Sequence, residues 1–492
     1  MKILATLLLL SLSAQAAVTL PAIFSDHMVL QSGKPVPVWG TADANAEVAV
    51  AIAGQKKTAK ADANGRWSLK LDALTTNAEP QTLTIGDKVI HDVLVGEVWL
   101  GSGQSNMGMN VQSAKDYEAS KAAATVPVIR VFTEGSPSAA TAQTQGKGTW
   151  VICTPETVGR FSATLYFFGR NVYDVLKQPL GLINSSVGGT PIESWISPEA
   201  QHASAELKPF FEAMKKEKAE FDEAKVKAVY ERQVKKWEEE VKKAKAEGKP
   251  APRKPRDPIS TRQRKGDVGG LFNGKISPLI PYAIRGAIWY QGEANTNGAK
   301  PPFYQAQLTL LAKDWRTRWD DEFPFAWVQL PNFTREGEGW PVVREQMLNA
   351  LSTIPNSGMA IALDLGEAKN IHPINKQEVG RRLAQWALGA VYHKDVPDTS
   401  GPLIDSAKVK GGAFVLTFKH AKGLHAKGDL AEFEIAGADG QWQPAEAKIE
   451  RETVVVSSKA VPEPKHVRYA WKDNPKATLF NGAGIPASPF RK

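Results

Sequence analysis

The chain has 492 residues, which is too many for one compact core and, at about 150 residues per domain, suggests roughly three domains. With 42% hydrophobic and 23% charged residues, the composition is that of a globular protein. The single cysteine, Cys153, excludes an intrachain disulfide and a zinc site built from several thiolates.

The formal net charge is +9, and almost all of it lies in one segment. Residues 203–265 hold 19 Lys and Arg against 12 Asp and Glu, whereas the rest of the chain has a net charge of only +2. An evenly basic surface would favour a polyanionic partner. Alternating charges on a helical pattern instead favour a solvated arm, so we predict no nucleic-acid partner.

The first residues have the pattern of a secretory signal. Lys2 precedes the apolar run Ile3–Leu12, and an Ala-Gln-Ala triplet ending at Ala16 is a typical cleavage site, so we predict a signal peptide over residues 1–16. A buried first strand is the alternative. No cysteine near the cleavage site offers lipid attachment, and no later segment reaches the ~20 apolar residues that span a bilayer. We therefore expect a periplasmic or secreted protein without a membrane anchor.

Two regions with a β pattern flank the middle of the chain. From Val18 to Ile90, apolar and polar residues alternate, and Asn64-Gly65 has the sequence of a hairpin turn. These features predict an antiparallel β-sandwich domain over residues 17–91. A second β domain over residues 401–492 is predicted from the runs Phe414–Phe418, Glu432–Ile435, Thr453–Val456 and Val467–Ala470.

The middle of the chain, residues 92–400, has the sequence pattern of an α/β domain. Short apolar runs end in polar or glycine-rich loops and are followed by helix-like sequence, which is typical of buried parallel strands. Ligands of such sheets bind at the carboxyl ends of the strands, so chemistry is expected in the loops that follow. The five runs are Val93–Leu100, Leu182–Asn184, Ala287–Tyr290, Phe325–Leu330 and Met359–Asp364.

The charged segment, residues 203–265, interrupts this pattern as a predicted helical insertion. Its apolar residues recur at helical spacing, which predicts an amphipathic helix, and the prolines after Lys249 favour an extended return of the chain. The apolar stripe consists of Tyr230, Val234, Trp237 and Val241.

The first core loop, Gly101–Asn106, contains a candidate nucleophile. It opens like a dinucleotide-binding fingerprint, but Asn106 stands at the third glycine position and no acidic residue follows at the expected distance. It is not the G-x-S-x-G elbow either, because Met107 replaces the last glycine. Ser105, in a tight turn at a strand end, is then either a nucleophile or a structural turn residue.

Three other loops bring catalytic residue types to the same edge. Gly188-Gly189 lets backbone N–H groups approach a substrate, and Gln291 offers a side-chain amide. A serine nucleophile needs a base. Of the eight histidines, only His372 closely follows a predicted core strand. We predict neither a metal nor a cofactor.

Longer motifs surround these loops and continue to both ends of the mature chain. In chain order they are FSDHMVLQ (Phe24–Gln31), GEVWLGSGQSNM (Gly96–Met107), SSVGGTPIESW (Ser185–Trp195), LFNGKISPLIPYAIRGAIWYQGEAN (Leu271–Asn295), NIHPINKQEVGRRLA (Asn370–Ala384) and PASPF (Pro486–Phe490). Together they resemble the sialate O-acetylesterases, which are carbohydrate esterases of the SGNH/GDSL type. The resemblance implies a flavodoxin-like, three-layer SGNH-hydrolase core with a parallel sheet, flanked by the two β domains.

The resemblance also implies roles for the loop residues. Ser105 would be the nucleophile and His372 the base, and the oxyanion would be bound by the N–H groups of Ser105 and Gly189 with the amide of Gln291. Many SGNH enzymes carry aspartate three residues before the histidine, where this chain has Lys369. The imidazole would then be oriented by Glu367, by Asp364 or by a main-chain carbonyl.

The implied activity is a carbohydrate O-acetylesterase whose substrates are acetylated carbohydrates, first among them O-acetylated sialic acids. An esterase of acetylxylan or another polysaccharide is the alternative, and a non-catalytic glycan-binding protein is a more distant one. Trp195, Trp340 and Arg344 either contact substrate or pack in the core. The sequence does not predict the oligomeric state.

Overall fold

The structure of the protein is a computed structural model. It describes residues 16–220, 222–255, 257–258, 267–335 and 337–492. The predicted signal peptide, residues 1–16, lies outside the described residues except for Ala16.

Two packed β-sheets form the N-terminal region. Its strands are β1 Val18–Thr19, β2 Val29–Gln31, β3 Val36–Ala42, β4 Glu47–Ile52, β5 Gln55–Lys60, β6 Arg66–Leu71, β7 Asn77–Ile85 and β8 Lys88–Gly103. One sheet has the order β1-β3-β6, and in the other β5, β4, β7 and β8 are neighbours, with β2 parallel to β8. Strand β8 is long because its first part pairs with β7 and its second part enters the central sheet.

The hairpin predicted at Asn64-Gly65 is wrong. The flanking strands lie in different sheets, since β5 pairs with β4 and β6 pairs with β3. A turn is present, with φ +76° at Gly65 and the side chain of Asp62 accepting from the N–H of Asn64 at 2.8 Å, but it carries the chain between sheets. The two-residue hairpin instead lies at Ala53-Gly54, between β4 and β5.

The central region is a mostly parallel sheet. Its further strands are β9 Ile129–Thr133, β10 Trp150–Ile152, β11 Leu180–Ser186, β12 Gly286–Tyr290, β13 Phe325–Gln329 and β14 Ser357–Ile361. The order is β10-β9-β11-β8-β12-β13-β14, with only the edge strand β10 antiparallel to its neighbour. The five predicted parallel strands are confirmed as β8 and β11 to β14. Strand β9 was not predicted because Arg130 interrupts its apolar pattern; the structure pairs this residue with Asp92 at 2.7 Å.

Helices cover both faces of the central sheet. The described α-helices are α1 Ser105–Gly108, α2 Tyr117–Ala122, α3 Ala163–Leu176, α4 Pro198–Ala203, α5 Lys208–Ala219, α6 Glu223–Ala246, α7 Tyr304–Trp319, α8 Gly339–Ala350 and α9 Lys376–Trp386. Alternate residues of β12 separate the two faces: Ile288 and Tyr290 pack with α3 and α9, whereas Ala287 and Trp289 pack with α7 and α8. The predicted three-layer α/β core is therefore confirmed. None of these described helices has both the length and the apolar character to cross a membrane.

The charged insertion contains α5 and α6. The predicted stripe on α6 is half-buried, while most other residues of the helix are exposed. Trp237 of the stripe donates its indole N–H to the carbonyl of Pro252 at 2.7 Å, and Lys254 lies over the same ring. The first part of the proline-rich return, at Pro252 and Lys254, therefore packs against the helix. At the base of the arm, Glu217 accepts a hydrogen bond from the N–H of Ala299 in the core at 2.8 Å.

The C-terminal region consists of antiparallel sheets. Its strands are β15 Leu403–Lys410, β16 Ala413–Lys419, β17 His425–Ala426, β18 Phe433–Ala436, β19 Trp442–Pro444, β20 Glu446–Glu450, β21 Thr453–Ser457, β22 His466–Tyr469, β23 Leu479–Phe480 and β24 Phe490–Arg491. Two four-stranded sheets have the orders β15-β16-β21-β20 and β19-β18-β22-β24, and β17 pairs with β23. All four runs predicted as strands in this region are confirmed, as β16, β18, β21 and β22.

Candidate active site

Ser105 lies at the carboxyl end of β8, in the middle of the parallel sheet. The strand ends at Gly103, whose φ of +138° suits glycine and whose Cα lies so near the neighbouring strand that a Cβ would be 2.2 Å from the carbonyl oxygen of Tyr290. Gln104 occupies the N-cap position of the short helix α1, which begins at Ser105, and its side chain makes no capping hydrogen bond there. The backbone N–H of a first helical residue has no acceptor within its own helix, so that of Ser105 is available to a ligand.

His372 reaches Ser105 from the loop after β14. Its Nε2 lies 2.8 Å from the Oγ of Ser105, and both residues are partly exposed. The side chain of Asn370 holds the backbone of His372 in two places, since its amide donates to the carbonyl oxygen at 2.9 Å and its oxygen accepts from the N–H at 3.0 Å. The structure thus brings together the predicted nucleophile and the predicted base.

The glycine pair lies beside Ser105. A Cβ on Gly188 would be 3.4 Å from the Cβ of Ser105, so the loop passes directly next to the serine. Gly189 has φ +73° with open space around its Cα hydrogens, which means that its backbone conformation, rather than crowding, favours glycine. This loop follows β11, whose carboxyl end adjoins that of β8.

Gln291 is near the site but is occupied by internal contacts. The residue is fully buried, and its Nε2 donates to Asn295 Oδ1 at 2.7 Å, to the carbonyl of Thr190 at 3.1 Å and to Gln104 Oε1 at 3.3 Å. Its Oε1 accepts from the hydroxyl of Tyr304 at 2.9 Å. The amide therefore joins the loops of the site, and donation to an oxyanion would require it to leave one of these acceptors.

The two carboxylates expected to orient the histidine have other partners. Asp364 forms a bidentate ion pair with Arg382, at 2.6 and 2.8 Å. Glu367 accepts from the side chain of Asn370 at 3.1 Å and from the N–H of Ile374 at 2.9 Å, so it folds the loop around His372. The roles of Glu367 and Asp364 as possible orienting acids stay predictions.

A buried polar network lies behind the serine. Asn106 accepts a hydrogen bond from Lys376 Nζ at 2.6 Å and donates one to Glu293 Oε1 at 2.5 Å. Burial lowers the pKa of the Lys376 ammonium to about 7, although the charges of Glu293 and Glu367 act in the opposite direction. Burial likewise raises the pKa of the Glu293 carboxyl above its ordinary value. These three residues lie within the quoted motifs, but nothing in their spacing predicted that they touch.

Trp195, Trp340 and Arg344, which were left open between substrate contact and packing, all lie in the interior. Arg344 donates to the carbonyl groups of Leu330 and Pro331 at 2.9 and 2.6 Å. It also donates to the carbonyls of Lys472 and Asp473 in the C-terminal region, at 2.8 and 2.9 Å. Burial lowers the pKa of its guanidinium to about 9. Over the described residues, no cluster of His, Cys, Asp and Glu has the arrangement to hold a metal ion.

The three-layer core and the Ser105–His372 pair at its carboxyl edge define a hydrolase of the SGNH type. A family model described as carbohydrate esterase, sialic acid-specific acetylesterase, matches residues 274–389. A crystal structure of a carbohydrate acetylesterase from Xanthomonas citri aligns with a TM-score of 0.81 and 32% identity, over 97% of this chain and 99% of that one.

Curated relatives agree with these two matches. Sialate O-acetylesterase from Rattus norvegicus is 27% identical over 94% of this chain and 92% of its own length. The Homo sapiens sialate O-acetylesterase is 27% identical over 95% of this chain and 91% of its own length. The chain belongs to the carbohydrate acetylesterase family, and it is a carboxylic ester hydrolase that acts on O-acetylated carbohydrates.

Proposed function

We propose that the protein removes O-acetyl groups from sialic acids, with Ser105 as nucleophile and His372 as general base. The observation that carries the catalytic assignment is the 2.8 Å contact between Ser105 Oγ and His372 Nε2 at the carboxyl edge of the sheet. The choice of sugar is supported by the description of the matching family model and by the names of the curated relatives.

The chemistry takes two steps. Ser105 Oγ attacks the acetyl carbonyl carbon while His372 Nε2 takes its proton, and the tetrahedral intermediate collapses as the imidazolium returns that proton to the departing sugar oxygen. Water, deprotonated by His372, then hydrolyses the acetyl-serine to acetate and free serine. The negative charge on the carbonyl oxygen would be stabilised by the N–H groups of Ser105 and Gly189.

An esterase of acetylated polysaccharides is the second candidate. The relative from Xanthomonas citri, which aligns over nearly the whole chain, is described as a carbohydrate acetylesterase without a named sugar. Because the same serine chemistry cleaves any acetyl ester, the two candidates differ only in the sugar bound beside Ser105.

The test is acetate release from a matched panel of O-acetylated sialic acids, acetylated xylan and other acetylated glycans. We expect the highest kcat/KM on a sialic acid and no release above background with the Ser105→Ala variant. Preference for xylan would replace the sugar assignment and leave the catalytic one standing. Release that survives Ser105→Ala would refute the catalytic assignment.

We also propose that the protein is exported, because Lys2, the apolar run Ile3–Leu12 and the triplet ending at Ala16 form a signal pattern. Expression of the full chain followed by N-terminal sequencing of periplasmic and extracellular protein tests this. A mature N-terminus at Ala17 is expected, whereas intact protein that stays in the cytoplasm would contradict export.

A further inference from the structure

The side chain of Asn106 joins three loops of the site. Its Nδ2 donates to the carbonyl oxygen of Ile371 at 2.9 Å and to Glu293 Oε1 at 2.5 Å, and its Oδ1 accepts from Lys376 Nζ at 2.6 Å. Asn106 directly follows Ser105, and Ile371 directly precedes His372 in the chain. One amide therefore connects the turn of the predicted nucleophile to the loop of the predicted base.

The orientation of this amide is determined by its partners. The carbonyl oxygen of Ile371 can only accept a hydrogen bond, so the nitrogen of the amide must face it. The amine of Lys376 donates to the amide oxygen at 2.6 Å, on the other side of the amide. The main-chain oxygen of Asn106 also accepts from the hydroxyl of Thr164 at 3.0 Å, which fixes the backbone at the same residue.

The surroundings of the amide make these contacts difficult to replace. Asn106 and Lys376 have no exposed surface, and Glu293 has only 3% exposure. A buried polar group that loses its partner is not compensated by water, so the network is expected to keep a single arrangement. Lys376 also lies over the ring of Tyr290, the last residue of β12, which ties the network to the central sheet.

We propose that Asn106 is a positioning residue, whose amide sets the distance between Ser105 and His372. Glu293 and Lys376 hold that amide in the one orientation that performs this task. The amide acts through Ser105 and His372 and does not itself contact the reacting ester. The proposal rests on the catalytic roles proposed above for the two residues.

The sharpest test is Asn106→Asp, which keeps the shape of the side chain and replaces its donor by an acceptor. The new oxygen would face the carbonyl of Ile371 and the carboxylate of Glu293, so the loop of His372 is expected to move away. Because misplacement by ~1 Å can lower a rate about 100-fold, we expect kcat on a chromogenic acetyl ester to fall at least tenfold, with KM within about twofold. A kcat within twofold of wild type, or a change confined to KM, would overturn the proposal.

A second variant distinguishes this hydrogen bond from general damage. Glu293→Gln supplies an amide donor opposite residue 106, so combining it with Asn106→Asp restores one of the two lost contacts. We expect the double variant to recover at least threefold in kcat over Asn106→Asp alone. A double variant no more active than the single one would contradict the proposed contact.

The controls separate positioning from folding. Asn171→Asp is the matched exchange, because Asn171 also donates its amide to a backbone carbonyl, that of Phe167 at 2.8 Å, on the surface of α3. It should keep wild-type kcat. If Asn106→Asp does not fold, Lys376→Met decides. It removes the donor to the amide oxygen, together with the contact of the amine over Tyr290, and should lower kcat at least fivefold, whereas unchanged kcat would refute the proposal. Ser105→Ala, measured in parallel, shows separately whether the catalytic assignment holds.

Discussion

His372 Nε2 lies 2.8 Å from Ser105 Oγ although the two residues are 267 positions apart in the chain. The sheet brings them together: Ser105 follows the central strand β8, and His372 lies in the loop after the edge strand β14. The loop is long enough to return over two strands, and Asn370 fixes the backbone of His372 at its end.

Replacement of either partner should abolish turnover. Ser105→Ala removes the nucleophile and His372→Ala removes its base, so each is expected to lower kcat by at least about 1,000-fold on a chromogenic acetyl ester. Ser113→Ala, an exposed serine in the following turn, is the matched control and should keep wild-type activity. Full activity of either active-site variant would refute the assignment.

The conformation of Gly189 should be needed for activity more than for folding. Gly189→Ala places a Cβ in open space but forces alanine into the left-handed region, at a cost of about 1–2 kcal/mol. The loop is expected to relieve that strain by moving the N–H proposed to bind the oxyanion, which would lower kcat by about 100-fold. The measurement is kcat on an acetyl ester together with the free energy of unfolding in urea.

Gly411→Ala is the control for that experiment. Gly411 lies in the hairpin between β15 and β16, also in the left-handed region at φ +57° and also with open space around it. It should lose a similar free energy of unfolding while keeping wild-type kcat. Equal kcat in both variants would show that the backbone of Gly189 does not take part in the reaction.

Asp364 and Glu367, the two carboxylates expected near His372, should have different roles: Asp364 should stabilise the fold, and Glu367 should shape the site. Asp364→Asn weakens the ion pair with Arg382, a nearly buried side chain, and should lower the free energy of unfolding by about 1–3 kcal/mol with little change in kcat. Glu367→Gln loosens the loop held by Asn370 and Ile374, so kcat should fall several-fold. Urea unfolding and steady-state kinetics on both variants check this, and the reverse pattern would favour Asp364 as the orienting acid.

The sequence predicted those parts of the site that depend on local pattern. Ser105, Gly189 and His372 each follow an apolar run at a strand end, and parallel strands bring such ends to one edge. The positions of Gln291 and Asp364 were also expected there, but their contacts were not. The hydrogen-bond partner of a buried amide or carboxylate depends on side chains from distant segments of the chain. The local sequence around the amide or carboxylate therefore does not predict that partner.

The fold shows the same division. Apolar patterns predicted strands in all three regions, by alternation near the N-terminus and by short apolar runs in the central region. The sequence did not predict which strands pair with each other. The turn at Asn64-Gly65 has the local chemistry of a hairpin, yet its flanking strands find better partners in separate sheets. Strand β9 was missed because the ion pair of Arg130 with Asp92, which lets an arginine sit in a buried strand, connects two regions of the chain.

Lys376 should make stability depend on pH between about 7 and 10.5. Below that window the ammonium is protonated in both states and bears the full cost of burial. Within it the folded protein releases the proton before the unfolded chain does, so the unfolded chain binds more protons and the free energy of unfolding rises with pH. The rise is at most about 1.4 kcal/mol per pH unit. The difference between wild type and Lys376→Met in urea unfolding, measured at several pH values below and across this window, isolates this contribution from other groups.

That difference should grow in favour of wild type as pH rises through the window and should be constant below it. Parallel curves for the two proteins would mean that the folded pKa of Lys376 is not lowered. A difference that shrinks with rising pH would mean that the charge of Glu293 outweighs the cost of burial.

The C-terminal β region should contribute to catalysis through Asp473. Its main-chain oxygen accepts from the N–H of Phe333 at 3.1 Å, and its carboxylate accepts from the N–H of Arg335 at 2.9 Å. Thr334 lies between Phe333 and Arg335 in the chain. Its N–H donates to the carbonyl of Ala368 at 3.0 Å, in the loop that carries His372. Asp473→Ala should therefore lower kcat several-fold while costing about 1 kcal/mol of unfolding free energy.

Asp439→Ala provides the comparison for Asp473→Ala. Asp439 is exposed in the same β region and accepts from the N–H of Gln441 at 3.1 Å, so its loss removes a similar contact far from the loop of His372. Both variants should unfold at similar urea concentrations, but only Asp473→Ala should lose kcat on an acetyl ester. Equal kcat in the two would mean that the C-terminal region stabilises the core without shaping the loop of the base.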